Sequence, residues 1–282
     1  MLSSAFDFEY LCNLVREKSG VVLDLHKDYL ATLHLSPIVT QAKFESLAAF
    51  VDFLKQSPFG QFHLQAIEAL LINETSFFRD RYPFEVLKSL VFPALIQSRS
   101  AQKTIHIWCA ACSTGQEPYS IAMLIREAFP ELLSWQIWII ASDFSSLALD
   151  RARIGKYTTL EINRGLTSEL RDRYFQQTGQ SWQAIDKIRQ MIEFRQLNLI
   201  ESWHSLPQMD IIFLRNVLIY FDLETKRSIL NKVQHTLQPD GYLFLGGGET
   251  TFHLSSRFEA VRNQTSLYHR LRNAGSNRLL AD

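Results

Sequence analysis

From residue 104 onward, short apolar runs alternate with helix-length segments, and that alternation leaves few folds open to the chain. Residues 104–109 read as a strand, followed by a turn of small residues and a helix over 117–129. A second strand at 136–142 leads into a helix at 145–153, and a third at 209–214 leads into a helix at 222–237. Pro239, Asp240 and Gly241 then turn the chain into a strand over 242–245. Short strands this apolar, alternating with helices, predict a doubly wound α/β sheet. Residues 155–195 interrupt the alternation with a basic, turn-rich stretch, which reads as an inserted subdomain.

Ahead of the alternation the period is helical. Phe8, Leu11, Cys12 and Val15 recur at helical spacing, as do Phe44, Leu47, Phe50, Val51 and Leu54. Residues 63–72 form another such run, and Pro37 and residues 57–60 read as breaks between helices. The expected organisation is a helical N-terminal domain over 1–90 and a linker over 91–103, polar from 97 to 103. An α/β domain over 104–275 and a tail over 276–282 complete it.

Charge and cysteine content remove several classes. The chain balances 29 Lys+Arg against 29 Asp+Glu, and the first 80 residues hold six basic and ten acidic side chains. Neither part offers a broad cationic face, so nucleic acid is not expected as a partner. No basic leader precedes an apolar run, and the apolar runs are too short to span a bilayer. With three cysteines, an odd count, the chain reads as a reduced, cytoplasmic protein. Cys109 and Cys112 lack the further ligands that zinc requires, so no metal site is expected.

Chemistry concentrates in a few segments. In WCAACSTGQEPYSIAMLI, residues 108–125, a strand passes to a helix through Ala110, Ala111, Ser113 and Gly115, which let a ligand approach the backbone. Glu117 at the helix start disfavours a phosphate and suits a cationic or polar nucleoside ligand; a plain capping acid is the alternative. Asp143 ends the second strand, where an acid can take ribose hydroxyls or simply cap a helix. NETSFFRDRYPFEVL, residues 73–87, sets two phenylalanines beside Asn73, Thr75, Arg79 and Asp80. FLRNVLIYF, residues 213–221, puts Arg215 and Asn216 directly after a buried strand, where an arginine calls for a ligand or an acidic partner. Gly246, Gly247 and Gly248 end another strand as a mobile loop or a bare turn.

Taken in order, NETSFFRD, CAACSTGQEPYSIA, IIASDFS, FRQLNL and DIIFLRNVLIYFD resemble the CheR-type chemoreceptor glutamate O-methyltransferases, over about residues 8–271. The resemblance implies an all-helical N-terminal domain and a Rossmann-like S-adenosylmethionine domain carrying a small antiparallel β insert at about 155–195. It also implies methyl esterification of glutamates on the cytoplasmic helices of chemoreceptors, with S-adenosylhomocysteine as product. An acceptor in another protein, a small carboxylate, or an inactive cofactor-binding adaptor are the alternative readings.

By the same resemblance, Asn73, Thr75 and Arg79 contact the cofactor, with Arg79 nearest the chemistry. Glu117 and Asp143 hold its methionine and ribose ends, Asn198 and Leu199 flank the adenine, and Arg215 and Asn216 close the pocket. Tyr220 takes the aromatic position near the transferring methyl. Two departures stand out. The stretch from residue 29, basic in the family, holds only His34 and Lys43. The insert's 174–191 segment holds only Gly179, so a grip on a receptor-tail pentapeptide is not expected. Arg151, Arg153, Lys156, Arg164, Arg171 and Arg173 offer a basic docking face in its place, on an expected monomer.

Overall fold

The computed structural model describes residues 5–26, 28–263 and 266–272; the expected tail over 276–282 lies outside them. The chain divides into two compact units, Met1–Asn73 with Tyr220–Thr225, and Glu74–Ile219 with the chain from Lys226 onward.

The first unit packs four helices: α1 (Ala5–Ser19), α2 (Asp28–Gln41), α3 (Leu47–Gln56) and α4 (Gln61–Leu70). Leu11, Val15, Ala31, Leu35, Phe50, Leu54 and Ile67 are buried, as the helical spacing requires. His63, on α4, is also buried: its Nδ1 accepts the Gly60 N–H, so its Nε2 carries the proton donated to the Leu54 carbonyl at 2.9 Å. Pro37 does not break the chain but lies inside α2. The carbonyl it frees belongs to Leu33, an exposed residue, while buried Ala31 and Leu35 hold the helix in place. Within the same unit Val22 N–H donates to the Tyr220 carbonyl at 2.8 Å, and Arg16 pairs with Asp222 at 2.8 Å.

The second unit begins with α5 (Tyr82–Val86), a π-turn (Leu87–Val91) and α6 (Phe92–Ser98) in unbroken succession. The expected linker is therefore helix for most of its length. Val91, Phe92 and Leu95 are fully buried, and Arg99 ties the polar end down. Its guanidinium donates to Asp210 at 2.8 Å and to Asp240 at 2.6 and 2.8 Å, so the polar residues there are a salt-bridged corner.

A seven-stranded sheet follows. Its strands are β1 (Thr104–Ala110), β2 (Gln136–Asp143), β6 (Ile192–Gln196), β7 (Met209–Leu214), β8 (Leu237–Leu245), β9 (Phe258–Asn263) and β10 (Ser266–Leu271), in the order β6-β2-β1-β7-β8-β10-β9. The first five run parallel, and β10 pairs antiparallel with both β8 and β9. Helices α7 (Gln116–Ala128), α8 (Ser146–Ile154) and α12 (Leu223–Thr236) connect the parallel strands, which places a site at the sheet's carboxyl edge.

Between α8 and β6 lies the insert: β3 (Lys156–Thr158), α9 (Thr159–Asn163), α10 (Ser168–Tyr174), β4 (Phe175–Thr178), β5 (Ser181–Ala184) and α11 (Asp186–Arg189). Its strands form a separate antiparallel sheet, β3-β5-β4. The insert stops earlier than the expected residue 195, because Ile192–Gln196 pairs with β2 in the main sheet. The arginines of the expected basic docking face, two of them on α8, are ion-paired yet remain 29–60% exposed. Arg151 pairs with Glu161, Arg153 with Asp150, Arg164 with Glu74, Arg171 with Asp172, and Arg173 with Glu127.

One buried group makes the fold sensitive to acid. His269, on β10, is 1% exposed, and burial pushes its pKa down to about 4 from 6.5. A depressed histidine leaves stability whole above the unfolded pKa and erodes it as pH falls toward the folded one. The expected loss between those values is about 3 kcal/mol. Urea unfolding from pH 7 to pH 4 should therefore show a shallower decline in His269→Gln than in the wild type. Parallel declines would assign the acid sensitivity elsewhere.

Candidate functional site

The site is built from five strand ends. β1 runs into the turn 111–115, which leaves Ala111 and Ser113 at φ of 54° and 50° before α7 begins. Asp143, at the end of β2, is 7% exposed and grips that turn: its Oδ2 accepts the Ser113 N–H at 2.7 Å, and its Oδ1 accepts the Ser145 N–H at 2.9 Å. Its carbonyl accepts the Leu197 N–H at 3.0 Å, which brings in the loop that follows β6. Capping and ligand binding are thus compatible, since a carboxylate accepts several hydrogen bonds at once.

That loop carries Asn198 and Leu199. Asn198 Oδ1 accepts the Ile200 N–H at 3.3 Å and its amide donates to Glu201 at 3.3 Å. Lys232, on α12, donates to the Leu199 and Glu201 carbonyls at 2.5 and 2.6 Å and lies 4.6 Å over the Trp203 ring. Trp203 meets Trp108 edge-on at 4.8 Å, and Trp108 Nε1 donates to Ser142, the neighbour of Asp143. The loop is therefore pinned from below by aromatic packing and from the side by an ammonium.

Arg215 follows β7 and is the electrostatic centre of the unit. Its side chain is 1% exposed. It donates to Glu117 Oε2 at 2.7 Å, to Asp80 Oδ2 at 2.7 Å and to the Arg79 carbonyl at 2.9 Å. The arginine expected to seek a ligand or an acid has two acids. Burial nevertheless raises the Glu117 carboxyl above its ordinary value, because Arg215 offsets only part of the desolvation. A further cation beside Glu117 would relieve that imbalance, which is the chemistry of an ammonium or sulfonium ligand.

Arg79 is projected from a rigid base. Phe77 is 1% exposed, packed edge-on against Tyr157 at 5.0 Å and Phe175 at 5.4 Å in the insert. Phe78 packs on Phe84, and its N–H donates to Ser120 on α7 at 2.9 Å. Gly165, at φ 112°, comes so close that a Cβ there would stand 1.9 Å from the Phe77 carbonyl oxygen. Phe78, Asp80 and Arg81 all adopt left-handed φ, a concentration of strain typical of functional segments. The Arg79 guanidinium donates to the Glu74 carbonyl at 2.9 Å, and half-buried Thr75 lies between those two residues.

Asn216 sits at φ 57°, with its N–H donated to Glu249 at 2.7 Å. Glu249 enters the network without having been singled out in the sequence, while Asp80, noted there only as a neighbour of Arg79, is a partner of Arg215. Thr75, Arg79, Glu117, Asp143, Asn198, Leu199, Arg215 and Asn216 all lie in the second unit; Asn73 and Tyr220 belong to the first. Cys109 and Cys112 are buried and their thiols are pushed well above the ordinary value by burial, which leaves little thiolate for chemistry.

Comparison with known proteins adds to this geometry. Residues 73–267 match the family model "CheR methyltransferase, SAM binding domain", and residues 7–71 match "CheR methyltransferase, all-alpha domain". Chemotaxis protein methyltransferase 1 of Pseudomonas aeruginosa is 40% identical over 275 residues, 96% of this chain and 99% of that protein. Chemotaxis protein methyltransferase Cher2 of Pseudomonas putida is 39% identical over 266 residues, 93% and 96%. Chemotaxis protein methyltransferase 1 of Vibrio cholerae is 39% identical over 275 residues, 94% and 98%. The chain belongs to the CheR methyltransferase family, and residues 73–267 are its S-adenosylmethionine-binding domain.

Proposed function

We propose that this enzyme transfers a methyl group from S-adenosylmethionine to glutamate carboxylates on the cytoplasmic helices of chemoreceptors, giving methyl esters. The observation that carries the reading is Glu117, its side chain 12% exposed and held by Arg215 at 2.7 Å, with its carboxyl still raised by desolvation, in a chain of this family. That donor set fits a cationic cofactor. When bound, S-adenosylmethionine supplies an electrophilic methyl on a sulfonium.

In this reading Glu117 holds the methionine ammonium, Asp143 takes the ribose hydroxyls, and Asn198 and Leu199 flank the adenine. Thr75, Arg215 and Asn216 complete the binding set within the second unit; the roles of Asn73 at the cofactor and of Tyr220 at the transferring methyl are assigned from the family resemblance alone. The acceptor glutamate is already ionised at neutral pH, so no general base is needed. The protein's work is then positioning and exclusion of water. Arg79 orients the acceptor carboxylate through charge-assisted hydrogen bonds from its planar fork.

A second reading, an acceptor in a different protein or a small carboxylate, is favoured by the docking surfaces. Along α2 and the turn after it the family's basic face is reduced to His34 and Lys43, and His34 bonds the Ala69 carbonyl at 2.8 Å. The arginines named above, on α8 and in the insert, are ion-paired with carboxylates of this chain. No helix among the described residues is long and apolar enough to cross a membrane. We place the enzyme in the cytoplasm, where receptor helices carrying such glutamates are reached. Incubation with labelled cofactor and candidate receptor fragments tests the function, with base-labile volatile label as the expected result. Cofactor binding without transfer to any carboxylate would point to an adaptor.

A further inference from the structure

We infer that Glu249 is a positioning residue for the reaction: its carboxylate fixes the turn after β7 that carries Arg215 and Asn216. The inference rests on the cofactor-binding reading of those two residues given above. Glu249 is 7% exposed, and each of its oxygens accepts two backbone N–H groups. Oε2 takes those of Asn216 at 2.7 Å and Gly246 at 2.6 Å, and Oε1 takes those of Val217 at 2.9 Å and Ile219 at 3.3 Å.

The need for such an acceptor follows from the chain path. β7 ends at Leu214, and Asn216 enters the left-handed region at φ 57°, so the following amides leave the sheet ladder without partners in a partly buried turn. An unpaired buried amide costs about 1–3 kcal/mol, and here several point the same way. Converging amides make a nest for an anion, and the protein fills it with its own side chain.

Gly246 forms the opposite wall. A Cβ at this position would lie 2.6 Å from Asn216 Nδ2 and 2.8 Å from Glu249 Oε2, so the end of β8 approaches the turn only because it has no side chain. Glu249 N–H donates back to the Gly246 carbonyl at 2.9 Å and closes the glycine run on itself. The ends of β7 and β8 are thereby clamped to one carboxylate. Among the described residues no Lys, Arg or His pairs with Glu249, although the acid lies close enough to Glu117 to raise its pKa. A buried carboxylate without a counter-ion is a poor staple where an apolar contact would serve, which argues for a role in holding this turn in one conformation.

Glu249→Gln keeps the shape but sets an amide NH₂ against two N–H donors, and so loses about half of the clamp. The Kd for S-adenosylhomocysteine should be measured by calorimetry in Glu249→Gln, Asn216→Ala and the double variant, with thermal melts of the ligand-free proteins. Glu249→Gln is expected to weaken binding by about tenfold or more while still melting cooperatively. The double variant should then lose little beyond the worse single one, because the two residues act as a unit. Unchanged affinity in Glu249→Gln, or fully additive losses, would overturn the positioning role. If Asn216→Ala binds like the wild type, the reading of Asn216 fails, and the Glu249→Gln affinity alone still decides the role, exerted then through Arg215. Should Glu249→Gln not fold, Gly246→Ala intrudes on the same turn from the other wall and is expected to reproduce the affinity loss. Wild-type affinity in that variant overturns the inference.

Discussion

Arg79→Ala is expected to lower turnover by roughly 100-fold or more at saturating cofactor, with a much smaller change in cofactor affinity. The expectation comes from where the side chain is launched. Phe77 is locked between Tyr157 and Phe175, and the Phe78 N–H is tied to Ser120, so the backbone at residue 79 has little freedom. The Arg79 carbonyl is itself held by Arg215. A guanidinium on so rigid a base can orient an acceptor carboxylate through two parallel hydrogen bonds. Arg79→Lys should rescue poorly, because a point charge on a flexible stem cannot reproduce that fork. Steady-state kinetics at saturating cofactor decide the matter. Recovery of wild-type turnover under those conditions would reduce Arg79 to a cofactor clamp.

Replacing Arg215 by Met should have the largest effect on stability, a loss of about 3–5 kcal/mol, since it strands a buried acid. Glu117, with its side chain 12% exposed, would keep its burial and lose its partner at 2.7 Å. Asp80, at 38% exposed, can turn to water and contributes less. The variant should also respond to pH in a distinctive way. A carboxyl whose folded pKa is raised stabilises the fold below that pKa and loses the benefit as pH rises through it. Arg215→Met should therefore recover stability on acidification from pH 7 toward 5 more steeply than the wild type does. Urea unfolding at the two pH values measures this. A cost under about 1 kcal/mol at pH 7 would mean that the pair behaves like a surface ion pair.

How much of this was legible in the sequence depends on the range over which each signal acts. β1, β2 and β7 were readable because central parallel strands are apolar on both faces, and the turn at 111–115 was readable from its small residues. Arg215 was conspicuous for following a buried strand. β6 escaped notice because it is an edge strand whose sequence, IEFRQ, mixes charge with apolar residues, and this moved the end of the insert from 195 to before Ile192. The residues around 97–103 looked like a linker because their partners, Asp210 and Asp240, lie more than a hundred positions away. Pro37 carried a local rule that burial of its neighbours overrode. Glu249 was invisible for the same reason as the Arg99 corner. Its meaning comes from amides some thirty residues earlier, and no spacing rule relates a glycine run to a turn on another strand.

The central claim is that this CheR-family chain esterifies glutamate side chains of receptor helices. The most direct measurement is tryptic mass spectrometry of a receptor cytoplasmic fragment after incubation with the enzyme and S-adenosylmethionine, with and without subsequent mild base. The expected result is the mass of one added methylene on peptides containing the acceptor glutamates, removed by base and absent when those glutamates are replaced by alanine. Modification that survives base or resides on another residue type, or none on any fragment while a different carboxylate is methylated, would contradict it.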